Sequence, residues 1–530
     1  MAASNLPLFV FITSPMVQAA EPLQRASATA GAQYDPRHPE ATALYRVLQA
    51  HLPAFLASWS DASEGRTLPR FVTDELRAFL TCGIPQHGFA QLYCDTCKAR
   101  HIVAFCCKGR GFCPSCGGRR MNEGAANLVD HVLPDAVPLR QWVLTLPFPL
   151  RFPLAFDGRL LGAVLRIFTD TVAAWYRKRA EKQTGSADTQ CGGLTVIQRA
   201  SSDLRLNPHF HTLFLDGVYV RDANNADAPP VFHPAPAPTQ DDVQFVVKRA
   251  AKRIVRFLQK RGLIALATAP GDGEVTVVVG DETLGDSDPL LAQLLAAATA
   301  GAPPAGPALK RAPIRLACNG DAPKPKGRLC AEQWGFNLHA ATRVHGNDQQ
   351  GREHLCRYIL RPPFANHRLH TLPNNKIQLD FKRPWSDGTN AVVLGAHAFI
   401  ARLAAIIPPP RRHVTRYFGV LSSHSALRPS IITSAADAST PPATPPATPP
   451  APVPPKKRKS KYIPWHELLR RTFNVDVTCA SCKGQLRLIS LIKTQATIIK
   501  ILAAMGLPTL PPAAASARAP PCFTPDDWTN

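Results

Sequence analysis

The sequence predicts an α+β protein in which an antiparallel sheet carries helices. A small cysteine-rich domain precedes the sheet, and a proline-rich linker and a small C-terminal piece follow it. Apolar residues repeat at helical spacing over 158–183, whereas residues 194–199 and 209–220 alternate like strands. Seven of the 14 cysteines fall between Cys82 and Cys116, which marks the first domain. A Pro-Pro-Ala-Thr repeat over 440–455 marks the linker.

Composition and pattern divide the 530 residues into regions. We expect an irregular tail over 1–40, a helical and cysteine-rich domain over 41–132, the sheet domain over 133–428, a proline-rich and basic linker over 429–461, and a small C-terminal region with one CxxC pair over 462–530. The apolar stretch from Asn5 to Ala20 lacks the basic start of a signal peptide, and no segment is a convincing membrane span. Clustered CxxC pairs indicate reduced, metal-binding thiols, so we expect a cytoplasmic protein.

Local signals place the elements in order. Helices are expected over 41–80, from about Arg120 to Val132, and over 158–183, 240–261, 351–361 and 392–406. Strands are expected over 139–152, ending at Pro147 and Pro149, and over 194–199, 209–220 and 376–383. Pro362-Pro363 ends the helix over 351–361, because proline cannot continue the hydrogen-bond ladder. Residues 266–335 are rich in Ala, Pro and Gly and show no clear pattern.

The chain is strongly basic, with a formal net charge of +23 at pH 7. Its positive residues are spread over the regions expected to fold and are not confined to a tail. Such a charge favours a polyanionic partner bound through phosphate contacts. We therefore expect a nucleic-acid enzyme. A basic ribosome-associated or membrane-surface protein is the alternative.

The cysteine cluster has the spacing of a zinc site. Cys94-x2-Cys97 and Cys113-x2-Cys116 are separated by fifteen residues, which is typical of a structural zinc with four cysteine ligands. The neighbours that remain are either ligands of a second zinc or buried free groups: Cys82, Cys106, Cys107, His87 and His101. Basic residues surround the cluster, so we expect it to contact DNA, with Arg119 and Arg120 among the contacts.

A further CxxC pair, Cys479-x2-Cys482, lies in the C-terminal region. The one later cysteine, Cys522, lies in a tail rich in Pro and Ala. A complete zinc ribbon needs four ligands, so we expect a degenerate knuckle at this pair.

Two histidines two residues apart form the candidate metal site of the sheet domain. His209 and His211 alternate with Phe210, so both imidazoles point to one face of a strand while the phenyl ring packs behind them. Such a pair suits a divalent metal that polarises a phosphate. The pattern also arises by chance, but the zinc signature and the positive charge favour the metal site. Candidates for a further ligand are His339, His354 and Asp216, each of which is equally a surface residue by pattern.

Tyr358 is the candidate nucleophile among the eight tyrosines. It lies downstream of the histidine strand, in a short helical segment that also holds Arg357 and Arg361. These arginines would hold a scissile phosphate and ease attack by a phenolate, whose ordinary pKa near ~10 makes it a poor nucleophile at neutral pH. Core packing is the alternative role for a helical tyrosine.

These segments resemble the HUH-type rolling-circle transposases of insertion sequences, the IS91 family with its common-region relatives. The resemblance covers about Phe79 to Leu427. It includes Gly-Arg-Gly-Phe-Cys-Pro-Ser-Cys-Gly-Gly-Arg-Arg-Met ending at Met121, Leu-Thr-Leu-Pro-Phe-Pro-Leu-Arg-Phe ending at Phe152, and Leu-Cys-Arg-Tyr-Ile-Leu-Arg-Pro-Pro ending at Pro363.

The resemblance implies roles residue by residue. His209 and His211 match the pair that binds a catalytic Mg2+ or Mn2+, and Tyr358 matches the nucleophile. The zinc-module cysteines are matched by Cys94, Cys97, Cys113 and Cys116, with Cys82 and Cys107 also on the pattern. His354 stands where founding members have a first tyrosine, so the chain resembles the single-tyrosine branch.

The implied activity is nicking and joining of single-stranded DNA at element ends through a 5′-phosphotyrosine. The free 3′-OH would then be extended by host replication machinery. A replication initiator or relaxase of the same chemistry is an alternative, although no GxxxxGK[ST] helicase motif is present. An inactive zinc-containing DNA-binding protein is the other alternative, and the intact segments around His209, His211 and Tyr358 argue against it.

Overall fold

The computed structural model describes residues 38–61, 65–222, 225, 228–268, 275–279, 285–301, 314–316, 327–373, 376–382, 384, 389–432, 479, 482, 484 and 486–512. Its α-helices are α1 Ala43–Ser58, α2 Arg70–Phe79, α3 Pro114–His131, α4 Phe148–Phe156, α5 Gly158–Thr184, α6 Gln240–Lys260, α7 Pro289–Ala300, α8 Gln349–Leu360, α9 Ala396–Ile406, α10 Arg428–Ile431 and α11 Gln495–Ala504. Short 3-10 turns occur at Pro39–Ala41, Pro85–His87 and Asn366–Arg368.

The strands of the first domain and of the sheet centre are β1 Ser60–Asp61, β2 Arg66–Thr67, β3 Phe89–Cys94, β4 Arg100–Ala104, β5 Leu139–Thr145, β6 Thr189–Gln190, β7 Gly192–Ala200, β8 Leu206–Leu215, β9 Gly217–Val220 and β10 Val231–Pro234. Those that follow are β11 Ile264–Thr268, β12 Val275–Val279, β13 Ile314–Leu316, β14 Cys330–Gln333, β15 Phe336–His339, β16 Arg343–Val344, β17 Leu369–Thr371, β18 Ile377–Asp380, β19 Ala391–Leu394, β20 Thr415–Gly419 and β21 Leu486–Ile492.

A central antiparallel sheet organises the molecule. Its strand order is β14–β15–β5–β8–β7–β20, and β16 also pairs with β5. The longest strand, β8, lies between β5 and β7, so its side chains are held by neighbours on both sides. The mixture of helices with an antiparallel sheet behind a cysteine-rich module confirms the predicted α+β class.

The two faces of this sheet are covered by different helices. On one face, Phe210 and Phe214 of β8 pack with Trp142 of β5 against α5 and α6. On the other face, Leu213 of β8 and Leu194 of β7 pack against α3 and α8. The alternation of β8 therefore places the even-numbered residues under α5 and the odd-numbered residues, including both histidines, towards α8.

The cysteine-rich module and the C-terminal region form one small sheet of order β21–β3–β4. β21 runs antiparallel to β3, with Leu486 opposite Cys94 and Ile492 opposite Phe89. Ile498 and Leu502 of α11 pack on Phe89. The C-terminal region thus completes a structure that begins near the start of the chain.

Several predicted elements have the expected bounds within a residue or two, among them α5, α6 and α8. The helical stretch predicted over 41–80 is interrupted by β1 and β2, and the strand predicted over 209–220 is divided into β8 and β9. Three further elements differ. Pro147 precedes α4 and Pro149 lies in its first turn, where a missing N–H is harmless, so these prolines start a helix and do not merely end a strand. Cys113 caps α3, which therefore begins well before Arg120. The segment 392–406 is divided between β19 and α9.

Other expectations fall outside the described residues: most of the tail over 1–40, the proline-rich repeat, and Cys522. Within the part of the chain that the structure describes, no helix is long and apolar enough to cross a membrane.

Candidate metal and nucleophile sites

The histidine pair lies at the centre of the sheet. His211 is opposite Val143 of β5 and Val196 of β7. The ring centroids of His209 and His211 lie 5.0 Å apart on the same face, whereas Phe210 is buried on the other. The geometry expected from strand alternation is therefore present.

Hydrogen bonds engage the same nitrogen in both rings. Nδ1 of His209 lies 2.8 Å from the carbonyl oxygen of Asn207, and Nδ1 of His211 lies 2.8 Å from the side-chain amide of Gln141. Burial lowers the pKa of His209, and burial together with the charges of His209 and Arg361 lowers the pKa of His211 to about 2. Both rings are therefore neutral at pH 7. The carbonyl of Asn207 accepts the proton on Nδ1 of His209, so Nε2 of that ring is free to bind a metal.

Tyr358 stands beside this pair. Its ring centroid lies 5.8 Å from that of His211, with the two rings nearly perpendicular. The side chain is 37% exposed, although its neighbours Leu355 and Ile359 are buried against the sheet. The phenol thus lies at the edge of the α8 interface, open to a ligand that reaches the histidines.

The sequence around α8 fixes its position. Asp348 caps the first turn by accepting a hydrogen bond of 2.8 Å from the N–H of Gly351. The fully buried Arg352 donates to the carbonyl oxygens of Pro134 and Val137 in the segment before β5. Contacts of the first turn of α8 therefore fix the position of the whole helix, including Tyr358 in its last turn.

The carbonyl oxygen of Ile359 lacks a helical partner, because Pro363 has no N–H to donate. The side-chain amide of Gln198 donates to it at 2.8 Å. Since Gln198 lies opposite His209 in the sheet, one side chain joins the histidine strand to the tyrosine helix. Sequence reasoning missed both Gln198 and Gln141. Their signal is a glutamine on the histidine face of a neighbouring strand.

Positive charge collects around the phenol and the imidazoles. The guanidinium of the exposed Arg361 lies 4.5 Å from the centre of the Tyr358 ring. Arg151 of α4 lies close enough, with Arg361, to lower the pKa of His209. Arg357, also predicted to contact DNA, is half-buried on the same helix. The site therefore favours an anion such as a phosphate.

The residues predicted as a further metal ligand do not lie with His209 and His211. Among the described residues, neither His339 nor His354 forms a group of three ligand atoms with His209 and His211. His339 lies two strands away, opposite Val143, and His354 is exposed on α8.

Asp216 is not a ligand either, because it is fully buried and accepts hydrogen bonds from other side chains. Arg140 and Arg343 each approach its carboxylate at 2.8 Å, and the hydroxyl of Tyr176 donates to it at 2.9 Å. The carboxylate is held by this network and is unavailable to a metal.

The cysteines correct the predicted zinc ligands. In the described part of the chain they form two separate groups of four, each with its sulfur atoms within 4.8 Å of one another: Cys82, Cys107, Cys113 and Cys116, and Cys94, Cys97, Cys479 and Cys482. The predicted set of Cys94, Cys97, Cys113 and Cys116 is therefore wrong. β3 and β4 carry the first knuckle away from the second, so each pair takes its partners from elsewhere in the chain.

The first group is largely buried at the start of α3. The sulfur of Cys82 lies 3.9 Å from that of Cys113 and 3.8 Å from that of Cys116, and the sulfur of Cys107 lies 3.5 Å from Cys116. A tetrahedral zinc with bonds of about 2.3 Å separates its sulfurs by roughly 3.8 Å. The four thiols therefore fit a structural zinc ion.

Arg119 and Arg120, predicted to contact DNA, are both exposed on α3. The guanidinium of Arg120 donates to the carbonyl oxygens of Lys108 and Gly109, 3.1 Å away in each case. Arg120 therefore also holds the loop that supplies Cys107.

The helix that carries this group contacts the helix of the nucleophile. α3 packs on α8 through Leu128 and Ile359. A Cβ added at Gly117 would lie 2.8 Å from Pro362, and one added at Gly124 would lie 2.9 Å from Leu360. The two glycines thus permit the close approach of α3 to the end of α8.

Comparison with protein families gives two matches. A family described as putative transposase matches residues 192–428, and a family described as transposase zinc-binding domain matches residues 47–146. The first contains both histidines and Tyr358, and the second contains Cys94, Cys97 and the whole first cysteine group. No curated protein and no solved structure matches the chain significantly.

Proposed function

The chain belongs to the IS91-family transposases, and from this membership we propose that it nicks and joins single-stranded DNA through a covalent 5′-phosphotyrosine at Tyr358. One observation carries the proposal. A half-exposed phenol lies 5.8 Å from an imidazole of a neutral histidine pair, inside a cluster of arginines. The family membership already implies a DNA-processing enzyme that binds DNA.

His209 and His211 fit a divalent cation such as Mg2+ or Mn2+. Both imidazoles are neutral and both point to one face, and the contact of Nδ1 with the Asn207 carbonyl leaves Nε2 of His209 as a ligand. When bound, the metal supplies a Lewis acid that draws charge from a phosphate oxygen. Arg361 supplies a fixed positive charge beside the phenol.

The nicking step transfers a phosphodiester to the enzyme. The phenolic oxygen of Tyr358 attacks the phosphorus, an O–P bond to the tyrosine forms, and the bond from phosphorus to the 3′-oxygen breaks. The 3′-oxygen takes up a proton to become a hydroxyl, and the phenol has lost one, so the step is balanced. In the reverse reaction, a 3′-OH of the target attacks the phosphorus of the phosphotyrosine. The cut strand is thereby joined to the target, and the phenol of Tyr358 is released. Host polymerase would extend the free 3′-OH left at the donor.

The test is a covalent-adduct assay with labelled single-stranded oligonucleotides that span the element's own ends. Purified protein is incubated with Mn2+ or with EDTA and separated on a denaturing gel. We expect label to migrate with the wild-type protein in Mn2+, and to be absent with EDTA and in Tyr358→Phe. The phenol is the only source of the new bond, so its removal should lower adduct formation by at least about 10³-fold.

Tyr417→Phe is the matched control. Tyr417 is also 37% exposed and also lies beneath an arginine, since Arg428 is 5.8 Å from its ring centre. This variant should form the adduct at the wild-type level. An adduct that persists in Tyr358→Phe would move the nucleophile to another residue. Tight binding without an adduct in the wild type would favour an inactive DNA-binding protein.

A further inference from the structure

The second cysteine group lies apart from the first and is built from two distant parts of the chain. Cys94 and Cys97 belong to the module near the start, whereas Cys479 and Cys482 follow 382 to 388 residues later. The sulfurs of Cys94 and Cys482 lie 3.3 Å apart, and those of Cys97 and Cys479 lie 3.2 Å apart. We infer that these four thiolates bind a second structural zinc ion, which clasps the C-terminal region to the cysteine-rich module.

The two halves of the group share one type of backbone hydrogen bond. The N–H of Cys94 donates to the carbonyl of Ala99 at 2.9 Å, and the N–H of Cys479 donates to the carbonyl of Gly484 at 2.8 Å, each five residues on. The N–H of Gly484 also points at the sulfur of Cys482, 3.4 Å away. Two matching knuckles that each offer two sulfurs complete a tetrahedral site with four thiolate ligands.

Gly484 shows how closely the knuckles approach. A Cβ added there would lie 2.5 Å from the hydroxyl of Thr96 and 3.0 Å from the sulfur of Cys94. A side chain at this position would displace the side chain of Thr96. The two halves of the group therefore lie in close contact.

The C-terminal region has its docking surface on the same module. β21 pairs along β3, and Arg487 forms a bidentate ion pair with Asp95 at 3.2 and 3.0 Å. The side-chain amide of Gln86 donates to the carbonyl of Pro508 at 2.7 Å. Exposed ion pairs stabilise little, and the shared apolar core around Phe89 is small. A zinc ion bound by both parts of the chain would add its binding free energy to the stability of this contact.

The decisive measurement is the number of zinc ions per full-length chain, by native mass spectrometry in the presence of a phosphine reductant. We expect two zinc ions in the wild type. The double variants Cys479→Ser/Cys482→Ser and Cys94→Ser/Cys97→Ser should each retain one. Cys330→Ser, which removes a buried thiol outside both groups, should retain two.

A second readout separates loss of metal from loss of fold. Cys482→His keeps a zinc-binding side chain and should bind two ions, and Co2+ in place of zinc should give the absorption of two tetrahedral thiolate sites. The inference is overturned if the wild type holds one zinc or if Cys479→Ser/Cys482→Ser still holds two. Neither of these outcomes depends on DNA nicking.

Discussion

At the scale of single residues, the proposed chemistry depends on which nitrogen of each imidazole is free to bind a metal. The alternation of a strand predicts that His209 and His211 share a face, and the context of arginines points to Tyr358. The partner of His211 is not predictable in this way. Gln141 lies 70 positions earlier, and only the register of β5 against β8 brings its amide to Nδ1 at 2.8 Å. A pattern read along one strand contains no information about the neighbouring strand.

The side-chain amide nitrogen of Gln141 lies 2.8 Å from Nδ1 of His211. A half-turn of this amide brings its oxygen to the same place, where it accepts a proton from Nδ1 and leaves Nε2 free for a metal. Gln141→Met keeps the length of the side chain and removes this contact. We expect the Mn2+ concentration for half-maximal nicking to rise by about 10- to 100-fold. Gln141→Glu, whose carboxylate accepts the same proton, should stay near the wild type. An unchanged metal dependence in Gln141→Met would mean that the amide has no such role.

At the scale of elements, the helices could be predicted where their periodicity is strong. α5 and α6 have long apolar stripes, and α8 ends where Pro362 and Pro363 remove two N–H donors. The contact between α3 and α8 could not be predicted, because it depends on Gly117 and Gly124. Glycine within a helix is ordinarily interpreted as unfavourable to that helix. The missing side chains of these two residues make room for Pro362 and Leu360.

Adjacent glycines in α3 offer a matched pair of substitutions. Gly117→Ala places a methyl 2.8 Å from Pro362 and should shift the end of α8, which lowers stability by about 1–3 kcal/mol and slows nicking. Gly118→Ala meets nothing within 4 Å and should raise stability by up to about 1 kcal/mol, because alanine favours the helix. Denaturant unfolding and adduct formation distinguish the two. Equal behaviour of both variants would contradict a tight α3–α8 contact.

At the scale of the whole molecule, the order of the chain differs from the order in space. The central sheet takes neighbouring strands from residues near 140, 210 and 335, and the small sheet joins residues near 90 to residues near 490. Spacing alone therefore predicted that zinc binds in this module but paired the wrong cysteines. Cys479 and Cys482 resembled an incomplete site because their partners lie at the other end of the sequence.

The two cysteine groups differ in exposure, and zinc should leave them at different rates. In the first group Cys82, Cys113 and Cys116 are buried, whereas in the second Cys97 is exposed. A chromogenic chelator should therefore release one zinc several-fold faster than the other, because a competing ligand reaches it more readily. Cys479→Ser/Cys482→Ser should lack the fast phase and keep the slow one. Release of both ions in a single phase would contradict this difference.

The distance along the chain between Cys97 and Cys479 also has a consequence for synthesis. A ribosome adding about 5–20 residues per second needs roughly 20–80 s to pass from one knuckle to the other, a separation of 382 residues. Throughout that interval the nascent module holds two thiols whose partners do not yet exist, beside a first group that can already close around its own ion. A segment translated hundreds of residues later thus completes the site that Cys94 and Cys97 begin.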